Sequence, residues 1–392
     1  MSEVWNLSRG FLPAKDPIQQ LPRAFSALDE FGAELPKLLA AGALGKQIKN
    51  LPILDPAGLN NEEAERAMML SSFIGHAFVY ENWRDNDLRN IISANIGMLW
   101  CKLAERLDRP PVLSYPSYSL YNWKRIEKNE QVVLGNIVLL QNFYAGLDEE
   151  WFILPHVSIE REAMPAIQSV VLLEDYVRRL DLDCVILSLH AIHEALQKMN
   201  EVMIRIPEGC DPYIYYNRVR PFLAGWARNK CLPDGVIYEG VPRFKGKPQK
   251  YPGETGAQSG VVPELDIAFG VSHADTLSDG SPDILKSYLL ETRTCMPKEH
   301  RAFLANTESF MRQYSLREFV LKNKDNPELV GAYNADVEEL IKFSDTHYGY
   351  AVAYIHTQPQ KGANPTDTGT GGTPFMKYLK KHRDEREACL IS

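Results

Sequence analysis

Three long stretches of the chain carry apolar residues at steps of three and four, which is the spacing of one face of an α-helix. The first stretch contains Ile92, Ile96, Leu99, Leu103 and Leu107. The second runs over about 183–206 and the third over about 335–355. Alternating patterns typical of strands are few, and the best lie at 131–138 and 234–238. The sequence therefore predicts a mainly α fold with minor β structure.

The length of 392 residues predicts two or three structural units, since domains average about 150 residues. The composition changes near 128–135, after a segment rich in proline and tyrosine, and we place a boundary there. This gives a small N-terminal domain, 1–130, and a large all-α domain, 131–392. Within the large domain, 357–374 contains four glycines and three prolines between two helical segments. This run is either a mobile lid or a disordered connector.

Charge and hydropathy argue against several classes of partner. The chain has 43 Lys and Arg residues against 51 Asp and Glu, a net charge of −8, and its basic residues are scattered. A nucleic-acid footprint is therefore not visible. No apolar run approaches the roughly 18 residues that span a bilayer, and the N-terminus lacks the pattern of a secretion signal. We expect a cytoplasmic protein that binds neither nucleic acid nor membrane. The sequence does not indicate an oligomeric state.

Histidine is the residue type with the widest choice of roles in this chain. His347 lies on the apolar stripe of the third helical stretch, where a packed and hydrogen-bonded core residue is the default interpretation. A metal or haem ligand is the less common alternative. His190 and His193 are three residues apart, which puts both imidazoles on one helix face within reach of a metal ion. No third ligand lies nearby in sequence, so a partly solvated helix face is the alternative for this pair.

An arginine among aromatic residues and a glycine-rich segment also stand out. Arg220 follows the aromatic run YIYYN, and a buried guanidinium needs a carboxylate, either an internal aspartate or a ligand. The segment GETGAQSG (253–260) is neither a P-loop nor a dinucleotide-binding motif. Its alternatives are a plain surface turn and a close backbone approach to a flat ligand.

Several distinctive segments follow one another in order between about residues 54 and 379. They are RPPVLSYPSYSLYNW (109–123), EEWFILPHVSIE (149–160), RPFLAGW (220–226), DGVIYEG (234–240), GAQSG (256–260), MPKEHRAFL (296–304), SLREFV (315–320), DTHYGYAVAYI (345–355) and GTGGTPFMKYL (369–379). In these segments the chain resembles the indoleamine 2,3-dioxygenases, haem enzymes of the tryptophan dioxygenase superfamily. The resemblance implies a small N-terminal domain over a large all-α domain that holds haem b. It also implies an activity that inserts O2 into the indole ring of tryptophan or a related indole, giving an N-formylkynurenine-type product.

The resemblance further implies roles for individual residues. His347 matches the family's proximal haem ligand and therefore its iron ligand, and Arg220 matches the arginine that holds the substrate carboxylate. The other positions implied at the cofactor are Ser119, Gly256, Ala257 and Asp266. The other positions implied at the substrate are Tyr115, Tyr118, Phe152, Tyr215 and Thr255, together with Thr370 in the lid loop.

This sequence departs from the vertebrate members at several of the matched positions. His156 stands where they carry a serine, so it could give or take a proton at the indole N–H and act as a catalytic residue. Tyr118, Ser119, Tyr215 and Tyr216 replace other residues and make the cavity more polar. Ser344 stands where vertebrate members have the arginine that pairs with the aspartate matched by Asp266. The network on the proximal side of the haem must therefore differ.

Two alternatives to dioxygenation stay open, and the polar substitutions at Tyr118, Ser119 and His156 motivate the first of them. One is the haem-dependent rearrangement of a halogenated tryptophan, as in pyrrolnitrin synthesis by some bacterial relatives. The other is a haem-binding protein without catalysis. Arg220 and the GTGGT loop argue against the second alternative, because passive haem binding needs neither of them.

Overall fold

The computed structural model describes residues 6–272 and 284–392, and it is mainly helical. The helices before residue 210 are α1 (Ser26–Ala40), α2 (Leu44–Gln47), α3 (Asn61–Tyr80), α4 (Ala94–Arg106), α5 (Leu147–Glu162), α6 (Met164–Arg179) and α7 (Leu182–Met203). Those after it are α8 (Pro212–Ile214), α9 (Val261–Ala268), α10 (Ile284–Arg293), α11 (Lys298–Gln313), α12 (Leu316–Lys322), α13 (Pro327–Ala351) and α14 (Phe375–Glu387). The prediction of a mainly α protein is confirmed. None of the described helices is long and apolar enough to cross a bilayer.

The described strands are short and form two small pairs. They are β1 (Ile91–Ile92), β2 (Trp123–Arg125), β3 (Ile137–Leu139) and β4 (Ile237–Tyr238). Strand β1 pairs in parallel with β4, and β2 pairs antiparallel with β3. The predicted segment 234–238 contains β4 at its end, whereas 131–138 overlaps β3 only in its last two residues and is otherwise a turn region. The predicted boundary near residue 130 falls in the connection between β2 and β3, and the division into two domains stays a prediction.

Helix α3 is the central support of the N-terminal half. A capping box of Asn60 and Glu63 starts the helix, and every residue from Ala64 to Tyr80 is buried. Within it, His76 Nδ1 lies 2.7 Å from the carbonyl oxygen of Phe222, and Nε2 accepts a 2.8 Å hydrogen bond from the Leu113 amide. Burial lowers the pKa of His76 to about 3, so the ring is neutral. This core histidine ties α3 to the segments that precede Tyr115 and follow Arg220.

The C-terminal half is a stack in which α7 packs against α5, α6 and α13, and α13 packs against α14. The three stretches with helical spacing correspond to α4, α7 and α13, so these helices are confirmed. Along α13, Val337, Leu340, Ser344 and Ala351 are buried on one face. His347 lies on the same face, and this stripe therefore brings the histidine to the interior of the stack.

The described part of the chain contains three single turns of π-helix. They are Pro116–Leu120, Tyr215–Val219 and Val352–His356. Such turns often occur at functional sites, because the wider turn redirects side chains. Two of them carry predicted substrate residues, and the third connects α13 to the loop 357–374.

Candidate functional site

A cavity of about 690 Å³ lies between α5, α9, α11 and α13. This volume falls in the range of about 300–1,000 Å³ that is typical of ligand and cofactor pockets. Six of the predicted site residues line it: Tyr115, His156, Gly256, Ala257, Asp266 and His347. Predicted residues that do not line it are Tyr118, Ser119, Phe152, Tyr215, Arg220, Thr255 and Thr370.

His347 projects from α13 into this cavity. Its side chain is accessible there, and no described residue forms a hydrogen bond with either of its ring nitrogens. Desolvation by the surrounding protein, followed by the charges of His156 and Arg386, lowers the pKa of His347 to about 4. The imidazole is therefore neutral and has a free lone pair, which is the state that binds a metal ion.

An ion pair lies beside His347 on the same wall of the cavity. Arg386 of α14 donates two hydrogen bonds of 2.7 Å to the two carboxylate oxygens of Asp266 and a third to Ser344 Oγ, one turn before His347. All three side chains are buried. The expected difference from the vertebrate members, which rests on the serine at 344, stays a prediction. Asp266 nevertheless has an arginine partner, which comes from another helix.

His156 faces the cavity from α5, and a local hydrogen bond sets its tautomer. Its Nδ1 lies 2.7 Å from the carbonyl oxygen of Phe152, so Nδ1 carries the proton and donates it. The Nε2 lone pair is then left as an acceptor. Burial lowers the pKa of His156, which keeps the ring neutral, and His156 in turn acts electrostatically on His347. The two histidines thus share one enclosed space.

The glycine-rich segment forms part of the cavity wall and is clamped to Tyr115. Gln258 accepts a 2.9 Å hydrogen bond from the Tyr115 amide and donates one of 2.9 Å to the Gly253 carbonyl. Ser259 donates a 2.6 Å hydrogen bond to Glu160, whose pKa burial raises to about 7. The segment is therefore a fixed wall of the cavity and not a plain surface turn.

The aromatic residues predicted at the substrate form a cluster directly beside the cavity. The ring centroid of Phe152 lies 5.0 Å from that of His156, 4.5 Å from that of Tyr215 and 6.4 Å from that of Tyr118. The ring centroid of Tyr115 lies 6.2 Å from that of His156. The Tyr118 hydroxyl is buried and has no hydrogen-bond partner among the described residues. The cluster thus continues the cavity in the direction of Tyr215.

Arg220 lies behind this cluster, where the loop 357–374 covers it. The guanidinium donates one hydrogen bond to Asn364 Oδ1 and one of 2.5 Å to the Thr368 carbonyl oxygen. Its Nε is buried and has no partner among the described residues. A small cavity of about 110 Å³ lies between Arg220 and the loop residues up to Thr370 and Gly372. The loop is therefore closed over Arg220.

Three further predictions concern residues away from these contacts. Ser119 is buried in the first π-turn, and Thr255 caps the short helical turn Gly256–Gln258. His190 is exposed, and His193 Nδ1 lies 3.4 Å from Asp336 Oδ1. Within the described ranges no group of three histidine, cysteine, aspartate or glutamate residues is arranged to hold a metal ion. The geometry therefore supplies no third protein ligand for the pair on α7.

A family model described as indoleamine 2,3-dioxygenase matches residues 3–389 of this chain. The chain belongs to the indoleamine 2,3-dioxygenase family. It is 32% identical over 387 residues to indoleamine 2,3-dioxygenase 1 of Mus musculus, covering 96% of this chain and 92% of the mouse protein. It is 28% identical to the indoleamine 2,3-dioxygenase of Saccharomyces cerevisiae, with coverages of 97% and 91%. It is 27% identical to the 6-hydroxytryptophan 2,3-dioxygenase of Fusarium equiseti, with coverages of 97% and 95%.

These matches confirm the predicted family and, with it, the prediction of a dioxygenase. The family is haem-dependent in general. The roles of the individual site residues are not tested by the matches and stay predictions.

The structure also reveals site residues that the sequence analysis missed. Arg386 and Asn364 contact the site from positions with no recognisable pattern. Glu254 is different, because it lies inside the glycine-rich segment that was singled out. The sequence analysis considered only the backbone of that segment and overlooked the acidic side chain within it.

Proposed function

We propose that this protein is a haem-dependent 2,3-dioxygenase of an indole amino acid. In this proposal His347 ligates the iron, His156 accepts a hydrogen bond from the indole N–H, and Arg220 binds the substrate carboxylate. The observation that carries the proposal is that one cavity of about 690 Å³ has both histidines on its walls. The aromatic cluster then leads from this cavity towards Arg220.

The residues that line the cavity fit a haem. A Cβ atom added at Gly256 would meet no protein atom within 4 Å, which leaves room for a flat group against this part of the wall. His347 offers ring nitrogens that no described residue occupies. Arg293 and Arg312 are among the lining residues and both lie beside Glu308, and arginine is the residue type suited to carboxylates such as haem propionates. Bound haem supplies the iron that activates O2, while the protein supplies orientation.

The substrate would be held at both ends. With Nδ1 donating to the Phe152 carbonyl, His156 can only accept at Nε2, and the indole N–H is a matching donor. At the other end, the guanidinium of Arg220 is bound by an amide oxygen and a backbone carbonyl, both neutral. A carboxylate is a stronger partner for a guanidinium than either of these groups. The aromatic cluster between the two ends suits a planar ring.

The first experiment tests the cofactor and the reaction together. Holoprotein, reduced and supplied with L-tryptophan and O2, should form a product whose mass exceeds that of tryptophan by two oxygen atoms. A product without added oxygen would instead indicate the rearrangement. His347→Ala should abolish the Soret band and turnover, whereas His190→Ala, at an exposed histidine, should change neither. Full haem content and turnover in His347→Ala would refute the assignment of the ligand.

The second experiment tests His156. His156→Ala should lower kcat/KM for L-tryptophan by about tenfold, because one hydrogen bond is worth about 0.5–1.5 kcal/mol. It should leave kcat/KM for 1-methyltryptophan unchanged, since this analogue has no indole N–H. An equal loss with both substrates would show that His156 acts only through packing.

A further inference from the structure

The turn GTGGT (369–373) forms the end of the lid loop and has a defined structure of its own. The Gly369 amide donates a 2.8 Å hydrogen bond to the Thr373 carbonyl oxygen, so the backbone of the turn closes on itself. The Gly225 amide donates a 3.2 Å hydrogen bond to the Thr370 carbonyl oxygen. The turn therefore keeps its shape and is attached to the segment that follows the arginine proposed to bind the substrate carboxylate.

Arg228, near the end of that segment, joins the turn to α10. Its Nη2 donates a 2.9 Å hydrogen bond to the Gly371 carbonyl oxygen. Its Nη1 lies 2.8 Å from a carboxylate oxygen of Glu291 on α10. The guanidinium carbon lies 5.8 Å from the ring centroid of Tyr288, also on α10, which is within the range of a cation–π interaction. One guanidinium therefore contacts the loop and the helix at the same time.

The two central glycines of the turn approach these residues too closely to carry a side chain. A Cβ atom at Gly371 would overlap the hydroxyl oxygen of Tyr288. A Cβ atom at Gly372 would lie 2.6 Å from the Ala227 carbonyl oxygen and 2.9 Å from Arg228 Cβ. Arg228 itself has a φ of +55°, a conformation that residues other than glycine rarely adopt. The turn and the Arg228 backbone are thus fitted to each other in shape as well as by hydrogen bonding.

A substrate affects the two arginines that hold the loop in different ways. In the proposed function, a substrate carboxylate takes up Arg220 and displaces its contacts with Asn364 and Thr368. Arg228 lines the same small cavity, but it already has a carboxylate partner in Glu291. It therefore offers the substrate no unpaired charge, and its contacts with the loop are retained when Arg220 is occupied.

We propose that Arg228 is the positioning residue that keeps the loop closed once a substrate carboxylate has taken Arg220. It acts through the turn 369–373 and does not touch the substrate. Loss of Arg228 should therefore shorten the time that a ligand stays bound, while the ligand still reaches its site. This inference rests on the proposed function, because it takes Arg220 as the residue that binds the carboxylate.

The first test is Arg228→Met, which keeps much of the stem and removes both polar contacts. Stopped-flow binding of L-tryptophan to ferric holoprotein, followed at the Soret band, gives the two rate constants. The dissociation rate constant should rise about fivefold, the order expected for one hydrogen bond. The association rate constant should change less than about twofold, because Arg220 still holds the loop in the ligand-free protein. In turnover KM should rise while kcat does not fall, and Arg228→Lys should recover part of the loss.

Trypsin gives a second readout, because Lys361 is the one lysine or arginine in 357–374 and is exposed. Without ligand, Arg228→Met should be cut at Lys361 less than about twofold faster than wild type. With saturating L-tryptophan it should be cut about fivefold faster, since neither arginine then holds the loop. A general loss of stability would instead speed cleavage in both states.

Arg243→Met is the matched control for the loss of the arginine. Arg243 donates a 3.2 Å hydrogen bond to the Cys101 carbonyl oxygen and lies 3.3 Å from a carboxylate oxygen of Glu105. Its guanidinium carbon lies 4.7 Å from the ring centroid of Phe244. These are the same three kinds of contact, made away from the loop, so Arg243→Met should change neither rate constant nor the cleavage at the loop.

The outcomes separate this inference from the proposed function. An unchanged dissociation rate constant in Arg228→Met, or an equal effect of Arg243→Met, would overturn the inference and leave the proposed function standing. If wild-type protein binds no indole amino acid, the proposed function fails and the inference with it.

Gly372→Ala keeps the inference testable if Arg228→Met does not fold. A Cβ atom at Gly372 overlaps the backbone of Ala227, so the turn must separate from Arg228. This variant should also raise the dissociation rate constant for L-tryptophan, by about threefold or more. An unchanged constant would overturn the inference in the same way.

Discussion

The ion pair of Arg386 with Asp266 allows a quantitative test of how α14 supports the cavity wall. The change is Arg386→Met, which keeps much of the side-chain length and removes the charge. It leaves the Asp266 carboxylate without either of its 2.7 Å hydrogen bonds. It also removes the hydrogen bond to Ser344, which lies one turn before His347.

The magnitude follows from the burial of both partners. Each side chain is only 7% exposed, so water cannot replace the lost partner. Removing one member of a buried ion pair costs about 3–5 kcal/mol, because the other charge stays buried without compensation. Replacing both members leaves no such charge. The double substitution Arg386→Met with Asp266→Asn should therefore cost less than the sum of the two single changes, by about 2 kcal/mol.

The assay is urea unfolding of the wild type, the two single variants Arg386→Met and Asp266→Asn, and the double variant. The rate at which haem leaves the holoprotein is measured as well. Arg386→Met should lose haem faster, because α13 loses a contact next to His347. Arg383→Met is the matched control, since Arg383 lies on the same helix and bridges Asp345 and Glu387 at the surface. It should cost less than about 1 kcal/mol. Additive costs in the double-substituted protein would refute the reasoning.

Two further changes address other parts of the molecule. Asp336→Asn should raise the free energy of unfolding more at pH 8 than at pH 5. Burial, and then the charge of Glu339, raises the pKa of Asp336 in the folded protein. The folded protein is therefore destabilised as the pH rises and Asp336 loses its proton, whereas an asparagine has no proton to lose. An equal gain at both pH values in urea titrations would contradict this. Gly253→Ala should raise KM for L-tryptophan and speed proteolysis of the lid loop, because a Cβ atom would overlap the Thr370 backbone. Unchanged KM and cleavage rate would show that the lid tolerates the displacement.

Sequence periodicity predicted the helices that carry the site, since a buried stripe on one helix is a local property. The spacing along α13 placed His347 on the same face as Leu340 and Ser344, and this face borders the cavity. His156 was identified only through the family resemblance, and no periodic pattern predicted the helix α5 that carries it. Residues within one element can be related to one another before the tertiary structure is known.

Partners that are distant along the chain could not be predicted in this way. Arg386 meets Asp266 across 120 residues, and Arg220 meets Asn364 across 144. Neither pair has a spacing that a local pattern would reveal. The arginine partner of Asp266 was missed for the same reason, because a serine at position 344 says nothing about an arginine that arrives from another helix.

If Arg220 binds the substrate carboxylate as proposed, its contacts link substrate binding to the loop 357–374. Asn364 and Thr368 now take up hydrogen-bond donors that a substrate carboxylate needs, and both belong to the loop 357–374. Thr370 of the same loop holds the backbone of Glu254. A carboxylate that reaches the guanidinium must therefore displace lid contacts, and it can do so because its charge makes it the stronger partner. In the proposed function, the loop 357–374 is thus held by the same side chain that binds the ligand, so that loop opening and ligand binding are coupled through Arg220.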